Sequence, residues 1–391
     1  MTSKYKELQH GNWKFQYNTH KNIFSSDLES YDNCCFNQTD NSTILTEDVL
    51  EDFRKASLIH KVARKKALTL LYIGYRLSDL VDAVETIILK LCKQNPETYY
   101  NTGNNQSSGI AFPVGVNINN VVVYDSKTVS ILDDRKFYRG DVVKIVIGVH
   151  INGHIIDSGF THIITDKQGI HDTDNIYNSV LEASREALFN TIKMSGPEQN
   201  LYELSEYIEE IIKSYEVDLG GDTLSVNPVQ GLGGNNIEQY KPYGNKKILS
   251  SPDMKIQGDM RMEEDEVYVI RPYATTGFGM VTSNNDVSKC THYIEAYDTD
   301  NKNITKKQKK FFRRTELYSW LQSRKGLPYS ASWIDSSLSK VVKSYNLGVN
   351  SNQLLALHPL NDEENSIVAQ FGHTVHIRDG TTEIFSLGED Y

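Results

Sequence analysis

The sequence predicts a mixed α+β domain, and three observations carry that prediction: two helical stretches near the start, a set of strand-like runs after them, and a second round of helices and strands. Thr46 to Leu70 carries Leu50, Phe53, Ser57 and His60 along one helical face, which places the first helix. A second helix follows at about Ser78 to Cys92. Ser78 is positioned to cap it, Asp79 and Asp82 fall in its first turn, and Leu80, Val84, Ile87, Ile88 and Leu91 form its apolar stripe. Asn120–Tyr124, Asp141–His150 and His154–Thr165 then read as strands, the last two joined by a hairpin turn through Ile151-Asn152-Gly153. Two more helices fit Asn178–Met194 and Leu201–Tyr215, and further strands fit Glu266–Tyr273 and Ile367–Arg378.

Three zones follow from this pass. Residues 1–45 are polar, rich in Asn, Ser and Lys, and without a sustained period; they read as an extension of low order. Residues 46–294 and 361–391 form the main domain. Between them, 295–360 reads as a helical insertion, with a polar linker at Asp298–Thr305 and helix-compatible stretches at Lys306–Gln322 and Ser337–Tyr345.

Composition narrows the class. A hydrophobic fraction of 39% in 391 residues supports a folded core. The net charge of −10 argues against a surface that coats nucleic acid throughout, while leaving room for a local basic patch. Met1 to His20 lacks the apolar centre of a secretory leader, and no run approaches the roughly 20 apolar residues of a membrane helix. Cys34, Cys35, Cys92 and Cys290 have no metal-ligand spacing and point to a reducing, cytoplasmic setting. The adjacent Cys34 and Cys35 leave two readings open, a vicinal disulfide or, more simply, two free thiols.

A family resemblance rests on several segments in order. They are Gly109-Ile-Ala-Phe-Pro-Val-Gly115 followed by Asn119-Asn120; Lys144-Ile-Val-Ile-Gly-Val-His150 with Gly153-His-Ile-Ile-Asp157; Ser214-Tyr-Glu-Val217; Arg261-Met-Glu-Glu264 with Glu266-Val-Tyr268; Gln370-Phe-Gly-His-Thr374; and the terminal Gly388-Glu-Asp-Tyr391. Together they resemble the type 2 methionine aminopeptidases (peptidase family M24) over most of Thr46 to Tyr391. The resemblance implies the pita-bread fold, a curved antiparallel sheet flanked by two helix pairs. The insertion near 295–360 is what separates type 2 from type 1 enzymes.

That family holds two divalent ions, cobalt or manganese, with two Asp, one His and two Glu, and a metal-bound water attacks the peptide. By resemblance, the ligand positions here are Val146, Asp157, Asn235, Arg271 and Gly372, so Asp157 alone is retained. A one-residue slip across the glycines of 231–240 would substitute Asn236 for Asn235, and neither amide is a strong metal ligand. The family's two pocket histidines correspond to Tyr124 and Tyr243; a phenol, with an ordinary pKa near 10, is a poor proton shuttle at neutral pH. No bound metal is therefore expected. His150, His154, His373 and His376 lie in the right segments for a relocated site, but His154 has the opposite strand parity to Asp157. His376 shares parity with Gly372 at a later rung, and His150 and His373 match histidines the family keeps for structure. A buried Asp157 needs a cation, and Arg271 offers a guanidinium fork, so an Asp157–Arg271 ion pair is expected. The opposing reading has Arg271 pointing to solvent from a decayed cavity.

Phe112, Pro113 and His292 match the family's peptide pocket and would let recognition of N-terminal peptides outlive catalysis. A basic run, Lys306, Lys307, Lys309, Lys310, Arg313 and Arg314, sits on the insertion with Phe311 and Phe312. A charge run is ordinarily a solvated face. In the family's non-enzymatic relatives, the proliferation-associated and ribosome-export factors, this region docks on ribosomal RNA, which makes the ribosome a candidate partner. Three functions follow: a catalytically inactive homologue that binds a ribosome, nascent chain or protein; a working metalloaminopeptidase with an atypical site; or a decoy that competes for a docking site. The chain reads as a monomer without membrane attachment.

Overall fold

The computed structural model describes residues 45–94, 107–128, 133–166, 176–218, 222–283, 290–296, 316–333, 348–350 and 353–388. The extension with Cys34 and Cys35, the basic run Lys306–Arg314 and the Ser337–Tyr345 stretch lie outside these residues.

Two helices open the described chain, α1 (Glu47–Leu70) and α2 (Leu77–Leu91). The first buries Leu50, Phe53, Ser57 and His60, the face its spacing foretold, together with Ala56, Ala63 and Ala67. The small alanines let the helix lie close on the sheet beneath it. In α2 the N-cap is Arg76, without a side-chain capping bond, so Ser78 is not the cap. Ser78 sits inside the first turn instead, its hydroxyl near Asp79 Oδ1 at 3.4 Å. The stripe also turns slightly: Leu80, Val81, Val84 and Ile88 are buried, whereas Ile87 is half-buried and Leu91 exposed.

Strands β1 (Ser108–Ile110), β2 (Gly115–Ile118), β3 (Val121–Val123), β4 (Val142–Ile151) and β5 (His154–Ile163) follow. β4 and β5 form a ten-residue hairpin whose turn, Asn152-Gly153, has φ of 51° and 83°, the double positive that a type I′ turn requires. Both strands are buried on both faces along most of their length, which explains their near-continuous apolar runs. The pair α3 (Asn178–Met194) and α4 (Leu201–Lys213) comes next. Here the cap is real: the Asn200 side chain accepts from the amides of Tyr202 and Glu203 at 2.8 and 3.2 Å.

The second half contributes β6 (Gly233–Ile237), β7 (Lys247–Leu249), β8 (Val267–Ile270), β9 (Tyr273–Thr275), β10 (His292–Glu295), α5 (Glu316–Arg324), β11 (Leu354–Leu357), β12 (Val368–Gln370), β13 (His373–His376) and β14 (Glu383–Ile384). β7–β6–β8–β13–β14 make one antiparallel sheet. The two long strands expected here are each interrupted: Glu266–Tyr273 breaks at Arg271-Pro272, and Ile367–Arg378 breaks at Phe371-Gly372. Proline at 272 cannot donate to a ladder, and Gly372 bridges to another strand, Gly159 on β5, with its amide donating to the Gly159 carbonyl at 3.0 Å. That bridge joins the two halves of the curved sheet. From the 295–360 stretch, Leu317, Trp320, Leu321, Tyr329 and Trp333 join the same core cluster as α1 to α4.

Candidate functional site

Strand geometry brings the five sequence-marked positions to one face. In the β4–β5 register Val146 pairs with Gly159 and Gly148 with Asp157. Directly opposed residues of an antiparallel pair share a face, and so do residues two apart. Val146, Gly148, Asp157 and Gly159 therefore line one side. Gly159 meets Gly372, and Val269 on β8 pairs with both Thr374 and Asn235, which adds Asn235, Arg271 and Gly372 to that side. The opposite face of β5 looks toward α1: the His154 ring lies 5.3 Å from Phe53, away from Asp157.

The guanidinium of Arg271 lies against Asp157, with Nη2 donating to Oδ1. Both side chains are essentially out of contact with solvent, at 0% and 1% exposure. Gly372 makes the room, because a Cβ there would stand 2.7 Å from Arg271 Nε and 3.2 Å from its Cβ and Cγ. Thr374 fixes the backbone: its Oγ1 accepts from the Asp157 amide at 2.7 Å and donates to the Asp157 carbonyl. Thr374 closes one of the resemblance segments, yet strand spacing alone gave no hint that its hydroxyl would tie two strands together.

This donor set does not fit two divalent ions. Val146 and Gly372 offer no ligand atom, Arg271 places a cation where a carboxylate would be needed, and the Asn235 amide already donates to the carbonyls of Asn236 and Pro242 at 2.6 and 2.9 Å. One carboxylate remains, with its Oδ1 on Arg271. Among the described residues no group of three or more His, Cys, Asp or Glu is placed to hold a metal ion. The nearby histidines are occupied structurally. His150 Nδ1 accepts from the Gly153 amide at 3.3 Å, His373 Nδ1 meets Ser386 Oγ at 2.7 Å, and His376 Nε2 meets Asp265 at 3.0 Å. Burial holds His150 and His373 well below the ordinary imidazole range, with Arg324 the next cause for the first and Arg64 and Arg271 for the second.

The residues expected to line a peptide pocket are packed. The Phe112 ring covers Gly148, where a Cβ would fall 2.0 Å from it, and lies in an apolar cluster with Val146, Ile155, Ile237, Val269 and Leu327. Phe112 thus stands beside the cross-strand partner of Asp157 and lowers the local dielectric around the ion pair. Pro113 is buried, and His292 is pushed down to about 4, chiefly by burial, against the raising effect of bonds to the Pro113 and Tyr124 backbone. The rings of Tyr124 and His292 are 6.1 Å apart, and Tyr124 and Tyr243 share a second apolar cluster. Tyr124 adopts a φ of 68°, unusual for a residue with a Cβ, and its carbonyl accepts from Thr291 Oγ1 at 3.0 Å.

Three contacts at this rim were not visible in the sequence. Arg324, buried at the end of α5, donates from Nη2 to the carbonyls of Ile110 and Pro328 at 2.9 Å and of Ala111 at 3.3 Å. Leu327 packs on Phe112, and Trp333 Nε1 donates to Glu85 Oε2 at 2.8 Å. The 316–333 stretch is thereby fastened to the segment between β1 and β2 that carries Phe112 and Pro113, and to α2. Long-range contacts of this kind leave no local pattern; the one clue was an arginine inside an otherwise aromatic-rich stretch.

Comparison with known proteins gives this geometry a context. Residues 51–289 match the sequence profile of metallopeptidase family M24. Methionine aminopeptidase 2 of Sclerotinia sclerotiorum is 30% identical over 354 residues, covering 89% of this chain and 73% of that protein. The enzyme of the same name from Komagataella phaffii is 31% identical over 342 residues, covering 87% and 70%. Among solved structures, a thermophilic Arx1 superposes with a TM-score of 0.71 at 15% identity, covering 89% of this chain and 93% of that one. Methionine aminopeptidase from Thermotoga maritima superposes with a TM-score of 0.55 at 17% identity, covering 88% and 98%. These two likenesses show the pita-bread fold.

Proposed function

The chain belongs to metallopeptidase family M24, and within it we propose a catalytically inactive homologue of methionine aminopeptidase 2 that acts by binding. One observation carries this reading: the Arg271 guanidinium, given space by Gly372, sits on Asp157, the one family ligand this chain retains. Hydrolysis in the family's manner needs two cations to neutralise clustered carboxylates and to lower the pKa of a bound water. Here one protein cation meets one carboxylate, so charge is balanced without a metal. By the resemblance, Tyr124 and Tyr243 place phenols where the family uses histidines.

The partner in this reading is the ribosome, met through the basic run Lys306–Arg314, whose sign opposes the net charge of −10. Recognition of N-terminal peptides through Phe112, Pro113 and His292 would require those buried side chains to part. No described helix is long and apolar enough to cross a membrane, and a cytoplasmic monomer is the setting proposed.

The test is metal content after loading with cobalt or manganese, with hydrolysis of a methionyl peptide assayed on the same sample. Metal below stoichiometric amounts and no released methionine is the expected result. About two ions per chain with methionine released would overturn the reading and restore a working aminopeptidase with an atypical site.

A further inference from the structure

Charge is segregated in two blocks along residues 22–78. Residues 22–52 contain Asp27, Glu29, Asp32, Asp40, Glu47, Asp48, Glu51 and Asp52 and no Lys or Arg. Residues 53–78 contain Arg54, Lys55, Lys61, Arg64, Lys65, Lys66 and Arg76 and no Asp or Glu. In a chain of net charge −10, twenty-six consecutive residues with cations only is a feature of position, not of composition.

The structure places six of the seven cations on α1 and the seventh, Arg76, at the N-cap of α2, and it sorts them. The three arginines are engaged within the fold: Arg54 pairs with Glu47, Arg64 lies buried over the Phe160 ring at 4.3 Å, and Arg76 stands 3.5 Å from Asp134. The four lysines are exposed or half-exposed, and Lys55 has only a wide 3.8 Å contact with Glu51. Between them stand Leu58 and Val62, one turn apart and 42% and 43% exposed, on the face opposite the buried Phe53, Ala56, His60, Ala63 and Ala67. The outer face of α1 thus has an apolar centre, a lysine rim and no aromatic ring for a base to stack on.

We propose that residues 23–32 of this chain, Ile-Phe-Ser-Ser-Asp-Leu-Glu-Ser-Tyr-Asp, dock on that face. The segment carries the complement in kind: Phe24, Leu28 and Tyr31 at spacings of four and three, to cover Leu58 and Val62, and Asp27, Glu29 and Asp32 to meet Lys61, Lys65 and Lys66. The tether permits it. Fourteen residues, 33–46, separate the segment from α1 and span up to about 46 Å when extended. Lys66 lies about 29 Å along the helix from Glu47. Tethering supplies the segment at an effective concentration in the mM range, enough for a small interface. The apolar centre favours this peptide over a phosphate backbone, which would leave Leu58 and Val62 against charged groups. The inference does not depend on the loss of catalysis.

A photo-crosslinking residue introduced at Val62 in the purified full chain tests it. The expected product is an intramolecular adduct, monomeric by mass, joining position 62 to a peptide within 23–32. Changing Lys61, Lys65 and Lys66 together to Glu lowers the yield about tenfold, equivalent to roughly 1.4 kcal/mol. Adding Asp27→Lys, Glu29→Lys and Asp32→Lys restores it. An adduct to another region, an adduct between two copies, a yield indifferent to charge reversal, or a yield that the second reversal does not restore would each overturn the proposal. So would no adduct at all. The positions at 61, 65 and 66 lie off the core, and an unchanged thermal midpoint confirms that the variants fold.

Discussion

By the sequence resemblance, position 271 carries a guanidinium where a family member would carry a carboxylate, and the surrounding residues accommodate its charge and size. Gly372 is the accommodation, since any side chain there would overlap Arg271. Asp157 is the counter-charge, and both partners are buried. A charge left alone in such a place is costly, whereas the pair removed as a pair need not be. Arg271→Ala is therefore expected to lower unfolding free energy by about 3–5 kcal/mol. The double change Arg271→Met with Asp157→Leu should recover most of that loss. Urea denaturation of the single and double variants measures both, and a double variant no more stable than Arg271→Ala would mean the pair is not the main determinant. Single restoration of Gly372→Glu should destabilise as well, because its Cβ meets Arg271 at 2.7 Å from Nε. Asn235 and Arg271 lie outside the segments that carry the family resemblance, whereas Val146, Asp157 and Gly372 sit within them and could be marked from the sequence. Their packing could not: Phe112 over Gly148 and Thr374 on the Asp157 backbone join residues far apart in the chain.

Elements were legible where period and punctuation agreed. The β4–β5 hairpin follows from apolar runs around Asn-Gly, and α3 from its unbroken apolar face. The breaks in the two long strands are less legible, because strand-forming residues flank both Arg271-Pro272 and Phe371-Gly372, while the breaks themselves are imposed by Pro272 and by the bridge to Gly159. Glu85 on α2 shows how an element can carry a tertiary load that its helical period does not announce. Its carboxyl accepts from Trp333 Nε1 at 2.8 Å and from the Val114 amide at 3.4 Å. Burial, the largest cause, pushes it up to about 7 from an ordinary 4.5, against the lowering effect of those two bonds. A carboxyl with a raised folded pKa stabilises fully below its unfolded value, and that contribution is lost as pH rises through the folded value. Glu85→Gln keeps an acceptor for Trp333 and removes the ionisation. The variant should gain on the native chain between pH 4.5 and 7, by on the order of 3 kcal/mol at most, and hold that gain above pH 7. Denaturation curves at pH 5 and pH 8 decide it; a difference independent of pH would mean that Glu85 does not change its protonation in this range.

For the whole molecule, the order of helices and strands was readable from Thr46 onward, and the fold follows from it. What the molecule binds depends on surfaces, and surfaces carry the least local pattern. Two basic features stand on an acidic chain, the α1 face and the run Lys306–Arg314. The first has apolar residues at its centre; the second has two phenylalanines beside six cations, a composition suited to a phosphate backbone with unstacked bases. If the second run holds the protein on the ribosome, each phosphate it neutralises releases counterions. The logarithm of affinity should then fall with the logarithm of salt by about 0.7–0.9 per phosphate contact. Replacing Lys306, Lys307, Lys309, Lys310, Arg313 and Arg314 with Gln should weaken co-sedimentation with purified ribosomes at low salt and flatten that slope by several units. The same replacements should leave thermal stability unchanged if the run contacts nothing else in the fold. Co-sedimentation that persists in the variant, or that survives high salt in the native chain, would assign ribosome contact to another surface. Loss of the complex without a change in slope would show that the six residues support binding indirectly rather than by meeting phosphates.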